Sequence, residues 1–244
     1  PEWVLYTSKD MTNWEYKGEV LSASRISWAN DKTSAWASQM VEYNGKYYLY
    51  FCTWDKTDSG KQSIGVAVAD KPEGPFVDIG HPLVKGSVTT PESSNWNDID
   101  PTILIDTDSE GTEHRYLAWG NGKYYVCELN EDMISVTDQN ADGTIDMNDI
   151  KQQKIKNLNG TVYTEAPWLY KRGDKYYTFF AANWREEMAY ATASTPYGPW
   201  EYCGQLMPPT ATSNTNHPAV IDFNGKTYFI YHNGALPNGS GYRR

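Results

Sequence analysis

Positive charge is scarce in this sequence: its 244 residues carry 21 Lys and Arg against 31 Asp and Glu, a formal net charge of −10. A surface so acidic repels nucleic-acid phosphates and anionic membranes, so neither is an expected partner. No stretch approaches the roughly 20 uninterrupted apolar residues that span a bilayer. The first thirty residues also lack the basic, apolar, small-residue order of a signal peptide, and the chain as given reads as soluble. Cysteine is sparse too. Cys52, Cys127 and Cys203 are widely spaced with no CxxC, which excludes a disulfide framework and a zinc site and leaves them to read as buried small hydrophobes. Helical periodicity is missing as well, since the nearest candidate, residues 146–158, is mostly polar.

Aromatic residues are what the chain has in quantity: 10 Trp, 19 Tyr and 6 Phe, or 14%, among 19 Gly and 13 Pro. Aromatic, β-prone segments broken by Gly and Pro predict an all-β protein. The segments also repeat. Tyr43-Asn44-Gly45-Lys46-Tyr47-Tyr48 returns as Lys171-Arg172-Gly173-Asp174-Lys175-Tyr176-Tyr177 and again as Phe223-Asn224-Gly225-Lys226-Thr227-Tyr228, each a strand, a turn and a strand. A second phrase, Ala69 to Phe76, matches Ala193 to Trp200 at an unbroken offset of 193 − 69 = 124. Aromatic strands are thus predicted to start near residues 3, 47, 116, 176 and 228. Spacings of this size suit radially arranged four-stranded blades, and the expected fold is a five-bladed β-propeller.

The residues ahead of each aromatic strand share a register. His217 lies eleven before Tyr228, Glu165 eleven before Tyr176, Trp36 eleven before Tyr47, and Asp100 sixteen before Tyr116, the excess being the acidic loop 106–113. In a propeller the first strand of each blade lines the central channel, so Asp100, Glu165, His217 and Trp36 are expected to converge at one mouth of it. A slip of one residue would turn any of them to the other face. Two carboxylates, a histidine and an aromatic platform are the equipment of a glycosidase, in which one group protonates the leaving oxygen while another holds charge or activates water.

Trp96-Asn97-Asp98-Ile99-Asp100-Pro101-Thr102 with Tyr116 to Gly120, Thr164-Glu165-Ala166-Pro167 with Tyr176-Tyr177, and Asn216-His217-Pro218 with Tyr231-His232-Asn233 and Tyr242-Arg243-Arg244 closely resemble the family 43 glycoside hydrolases. The resemblance runs from Leu5 to Arg244. It implies an inverting β-xylosidase, α-L-arabinofuranosidase or arabinanase acting on arabinose- or xylose-containing plant oligosaccharides or polysaccharides. It casts Glu165 as the general acid, Asp100 as the aspartate that tunes it, His217 as the histidine near the channel's metal or water cluster, and Arg243 or Arg244 as the arginine paired with Asp100. Trp36 and Trp96 are candidate sugar platforms. Asp98 reads as a loop cap. The family's general base, an aspartate on the first strand of blade one, has no match here, so the chain reads as one catalytic propeller domain, 1–244, truncated at both ends. Were the base inside the chain, Asp31 and Asp55 would be the first candidates. An extracellular or periplasmic location is expected if a longer parent carries a signal peptide.

One insertion stands apart. In residues 138–149, oxygen ligands Asp138, Asn140, Asp142, Asp146 and Asp149 occupy positions 1, 3, 5, 9 and 12, with Gly143 at 6 and the Thr144 carbonyl at 7. That is the order in which a loop wraps calcium, and the segment resembles a dockerin loop more than a sensor EF-hand. A solvated acidic hairpin is the alternative. For the whole chain the competing reading is a carbohydrate-binding propeller that keeps the pocket without turnover.

Overall fold

The computed structural model describes residues 1–30, 34–92, 96–210 and 214–232. Two compact units are distinguished: residues 1–101 with 130–136, and residues 102–129 with 137–244. Each is built from antiparallel meanders. The helical content among the described residues is a 3₁₀ turn at Ala23–Arg25 and one four-residue helix at Gly86–Thr89.

The first unit holds a hairpin of β1 (Glu2–Ser8) and β2 (Trp14–Ser22), then a four-stranded sheet of β3 (Ser38–Tyr43), β4 (Lys46–Asp55), β5 (Lys61–Ala69) and β6 (Val77–Asp78) in chain order. The β3–β4 turn is Asn44-Gly45, with φ of 51° and 77°. Both positive angles belong to the hairpin turn whose twist matches the flanking strands, and Asn-Gly is the pair that adopts it most readily. Trp3, Ile26, Trp28, Leu49, Phe51, Ala67 and Phe76 form the core between the two sheets. Phe51 meets Trp3 at 5.1 Å and stacks on Trp28 at 6.0 Å between ring centroids.

The second unit begins with β7 (Thr102–Thr107), β8 (Glu113–Trp119), β9 (Tyr124–Glu128) and β10 (Lys151–Gln153). It continues with β11 (Ile155–Lys156), β12 (Tyr163–Arg172), β13 (Lys175–Ala182), β14 (Glu187–Ala193) and β15 (Trp200–Met207), where β11 adds in parallel to the outer edge of β15. A hairpin of β16 (Ala219–Phe223) and β17 (Lys226–Ile230) closes the order, its turn again an Asn-Gly pair, Asn224-Gly225. Tyr124, Val126, Leu169, Phe180, Ala191 and Trp200 make the core. A fully enclosed ring such as Trp200 removes about 150–250 Å² from water, worth roughly 4–6 kcal/mol before the entropy of ordering.

The five aromatic segments fall on β1, β4, β8, β13 and β17. The duplicated Gly-Pro phrases sit in equivalent places, each with a cis peptide bond (Gly74–Pro75, Gly198–Pro199) and a buried ring after it, Phe76 or Trp200. One expectation fails: Cys52 and Cys127 are buried, but Cys203 is exposed. It alternates with Tyr202 and Gly204 along β15 and so shares the outward face of Glu201 and Gln205.

Candidate active site

In the second unit the site is organised around Glu165. β12 pairs with β13, but the register shifts on both sides of Glu165, which stands opposite Ala181. Ala166 is held at φ 59° and Pro167 follows with no N–H to offer the ladder. Such a bulge re-aims a side chain out of the regular pleat, and a non-glycine residue in this conformation costs about 1–3 kcal/mol that the surroundings must offset. The restraints are visible. Gly122 N–H donates to the Thr164 carbonyl at 2.6 Å, and the Tyr163 hydroxyl donates to the Gly120 carbonyl at 2.8 Å. Tyr163 is fixed in turn by stacking on Tyr124 at 5.7 Å and by Phe180 at 5.5 Å. On the other side, Val162 and Asn183 exchange two hydrogen bonds, and Thr164 Oγ1 donates to the Asn183 carbonyl at 3.1 Å.

The turn 120–122 presents Asn121, whose Nδ2 donates to Glu165 Oε2 at 2.5 Å. Both side chains are half-buried. Glu165 is therefore a carboxyl held in one orientation by a neutral donor on a different strand pair, partly sheltered from water yet open on one side. The sequence reading missed Asn121. Its signal was the doublet of glycines, Gly120 and Gly122, directly after an aromatic strand. Gly120 has φ 134°, and a Cβ there would lie 1.9 Å from the Lys123 carbonyl oxygen, so only glycine permits this turn.

Asp100 lies in the first unit, 5% exposed, at φ 60° and followed by Pro101. Ala166-Pro167 repeats that backbone in the second unit, so Asp100 matches Ala166, and Glu165 stands one residue before the equivalent position. Asp98 is buried, and the Thr89 hydroxyl lies within hydrogen-bonding distance of both its oxygens, at 2.8 and 2.6 Å. Asp55 is fully buried, its carboxylate taken up by the amide and hydroxyl of Thr57 and the hydroxyl of Ser63. Such a carboxylate has no access to a water nucleophile. Asp31, Arg243 and Arg244 lie outside the described residues.

Trp36 and Trp96 are partly exposed, at 39% and 52%. Between them stands Trp54, edge-on to Trp36 at 6.0 Å and to Trp96 at 6.5 Å, which makes a line of three indoles in the first unit. The Trp36 carbonyl accepts from Trp3 Nε1 at 2.7 Å, which ties the segment before β3 to the core. Trp54, at the end of the repeated aromatic strand, escaped the sequence reading because core and platform tryptophans look alike there. His217 is half-buried just ahead of β16 in the second unit.

The 138–149 loop folds on itself. Asp138 accepts from the amides of Asp142 and Gly143, Asp142 from the amide and hydroxyl of Thr144, and the buried Asp149 from the amides of Gln139 and Asp146. Among the described residues no group of three or more His, Cys, Asp or Glu side chains is placed to hold one metal ion.

The family model for glycosyl hydrolases family 43 matches residues 1–244. The chain belongs to this family. A xylosidase/arabinosidase of Bacteroides ovatus is 31% identical over 245 residues, covering 93% of this chain and 73% of that protein. A Humicola insolens xylosidase/arabinosidase is 28% identical, covering 93% and 74%. Among solved structures, a β-xylosidase/α-arabinofuranosidase from a compost metagenome, in complex with xylotriose, superposes with TM-score 0.80 at 24% identity, covering 99% of this chain and 77% of its own. An α-L-arabinofuranosidase of Clostridium thermocellum gives TM-score 0.76 at 29% identity, covering 96% and 72%. This family 43 chain is thus a glycosyl hydrolase with the β-propeller fold.

Proposed function

We propose that the chain hydrolyses xylosyl or arabinofuranosyl linkages in plant-type oligosaccharides by inversion, with Glu165 as general acid. The observation that carries this is the Glu165 bulge, where a half-buried carboxyl is aimed off the strand and held by Asn121. The relatives' names supply the substrate class: they are xylosidases and arabinosidases. In an inverting reaction the acid protonates the departing glycosidic oxygen while a base takes a proton from water on the opposite face, the two carboxyls lying roughly 6.5–9.5 Å apart. Asn121 donates to the carboxyl throughout, and its bond strengthens as Glu165 becomes anionic in giving up its proton.

Asp100 takes the tuning carboxylate's part, with Arg243 or Arg244 as its partner. Trp36 and Trp96 act as sugar platforms, and His217 lines the channel. Of the two aspartates inside the chain that are candidates for the base role, Asp55 is spent on Thr57 and Ser63; general base catalysis contributes about 10²–10⁴-fold, so turnover without another base is expected to be slow. Calcium on Asp138, Asn140, Asp142, the Thr144 carbonyl and Asp149 is a separate proposal that rests on ligand order.

The test is hydrolysis of xylobiose and of an aryl arabinofuranoside, with the anomer of the product read by NMR. Inverted product, and a loss of about 10²-fold or more in Glu165→Gln with sugar binding retained, are expected. Retained configuration would remove the mechanism. Binding without turnover that Glu165→Gln leaves untouched would favour a carbohydrate-binding propeller.

A further inference from the structure

Trp184 is the most exposed large hydrophobic side chain among the described residues, at 70%. It occupies the tip between β13 and β14, a hairpin tied down on both flanks. Before it, the Asn183 amide donates to the Val162 carbonyl at 2.8 Å, while the Asn183 side-chain oxygen accepts from the Val162 amide at 2.9 Å. After it, Glu186 is 1% exposed and donates its amide to the Asn183 carbonyl at 3.1 Å. Glu187 accepts from Asn183 Nδ2 at 2.9 Å and from Gln205 Nε2 at 2.6 Å. A fixed backbone thus keeps a large apolar ring in water, against the gain that burying it would bring. Isolated exposed hydrophobics need no explanation, but this one has a neighbour, Val162, 61% exposed just before the strand that carries Glu165.

We propose that Trp184 is a sugar-binding residue on the leaving-group side, stacking on a ring of the departing chain beyond the bond that is cleaved. This rests on the reading of Glu165 as the acid. Glu165 pairs with Ala181, and Trp184 stands three residues further along the same hairpin, a reach of at most about 10 Å of chain. That places it just past the far end of β13, the strand that pairs with the acid's own. The acid delivers its proton to the leaving oxygen, so the substrate that extends past it toward solvent is the leaving group. An indole on a rigid tip offers the flat face that the C–H surface of a pyranose ring stacks on, and its ring costs little entropy to hold.

The experiment compares an aryl monoglycoside with xylobiose, xylotriose and xylotetraose, on wild type, Trp184→Ala, Trp184→Phe and Trp14→Ala, with melting curves of all four. Trp14, 50% exposed at the β1–β2 hairpin, is the control and should change nothing. Trp184→Ala should raise KM progressively with chain length, on the order of tenfold for xylotriose, with kcat little altered, and Trp184→Phe should recover most of it. Equal loss on every substrate, or no loss on the longer ones, with an unchanged melting temperature, would overturn the proposal while leaving the Glu165 reading intact. A wild-type chain that neither binds nor cleaves any of these sugars would remove that reading and this one with it.

Discussion

Replacing Gly120 by alanine tests the link between fold and site directly, because the turn it begins carries Asn121 to Glu165. Two costs add. The backbone sits at φ 134°, where a side chain is strained by about 1–2 kcal/mol. The new Cβ would also stand 1.9 Å from the Lys123 carbonyl oxygen, and that oxygen cannot retreat cheaply, since Lys123 leads into Tyr124 and Tyr125, which are almost completely buried. A forced backbone shift of this kind costs roughly 1–3 kcal/mol, so the total is about 2–5 kcal/mol. For a domain of this size that lowers the melting temperature by about 4–20 °C. Gly111→Ala supplies the control: its φ is also positive, at 87°, but nothing lies within 4 Å of the added carbon, so only the conformational term remains. Thermal melts followed by circular dichroism, with xylotriose titrated calorimetrically into each variant, separate the two. Gly120→Ala should melt several degrees below Gly111→Ala and bind sugar more weakly. Equal melting temperatures would refute the steric argument, and a destabilised Gly120→Ala with unaltered binding would refute the connection to Asn121.

Asn121→Ala should lower kcat on xylobiose about five- to tenfold at constant KM, because a hydrogen bond to a carboxylate is worth about 1 kcal/mol more than one to a neutral carboxyl. An activated aryl xyloside, whose leaving group needs no proton, should be nearly unaffected. Equal losses on both substrates would show that Asn121 acts through the fold instead. His114 bridges Glu128 at 2.7 Å and Asp108 at 3.3 Å, and these partners, Glu128 foremost, raise its pKa above the usual 6.5. The stabilisation is therefore complete below about pH 6.5 and is lost as pH rises through the folded-state value. His114→Gln should flatten that part of the pH–stability curve, and an unchanged curve would remove His114 as its source. If the 138–149 loop takes calcium, a concentration a hundredfold above Kd should add about 2.7 kcal/mol of stability that Asp138→Asn diminishes. No heat on titration and no shift in melting would leave the loop as a solvated hairpin.

The strands and their repetition are legible along the chain. Aromatic runs favour strands and Gly and Pro favour turns, and both preferences are local, so the hairpins at Asn44-Gly45 and Asn224-Gly225 and the duplicated Gly-Pro phrases could be read in one dimension. The sequence also marked Asp100 and Glu165, because their spacing ahead of the aromatic strands can be counted along the chain. Which neighbours those residues meet is a matter of packing. Asn121 reaches Glu165 across 44 positions of chain, Trp54 joins Trp36 to Trp96, and Asp55 is spent on Thr57 and Ser63. Cys203 faces water and Trp184 is held exposed for the same reason. Which face of a strand is covered, and what stands beside a hairpin tip, depend on the strands packed against it, and no spacing along the chain encodes that.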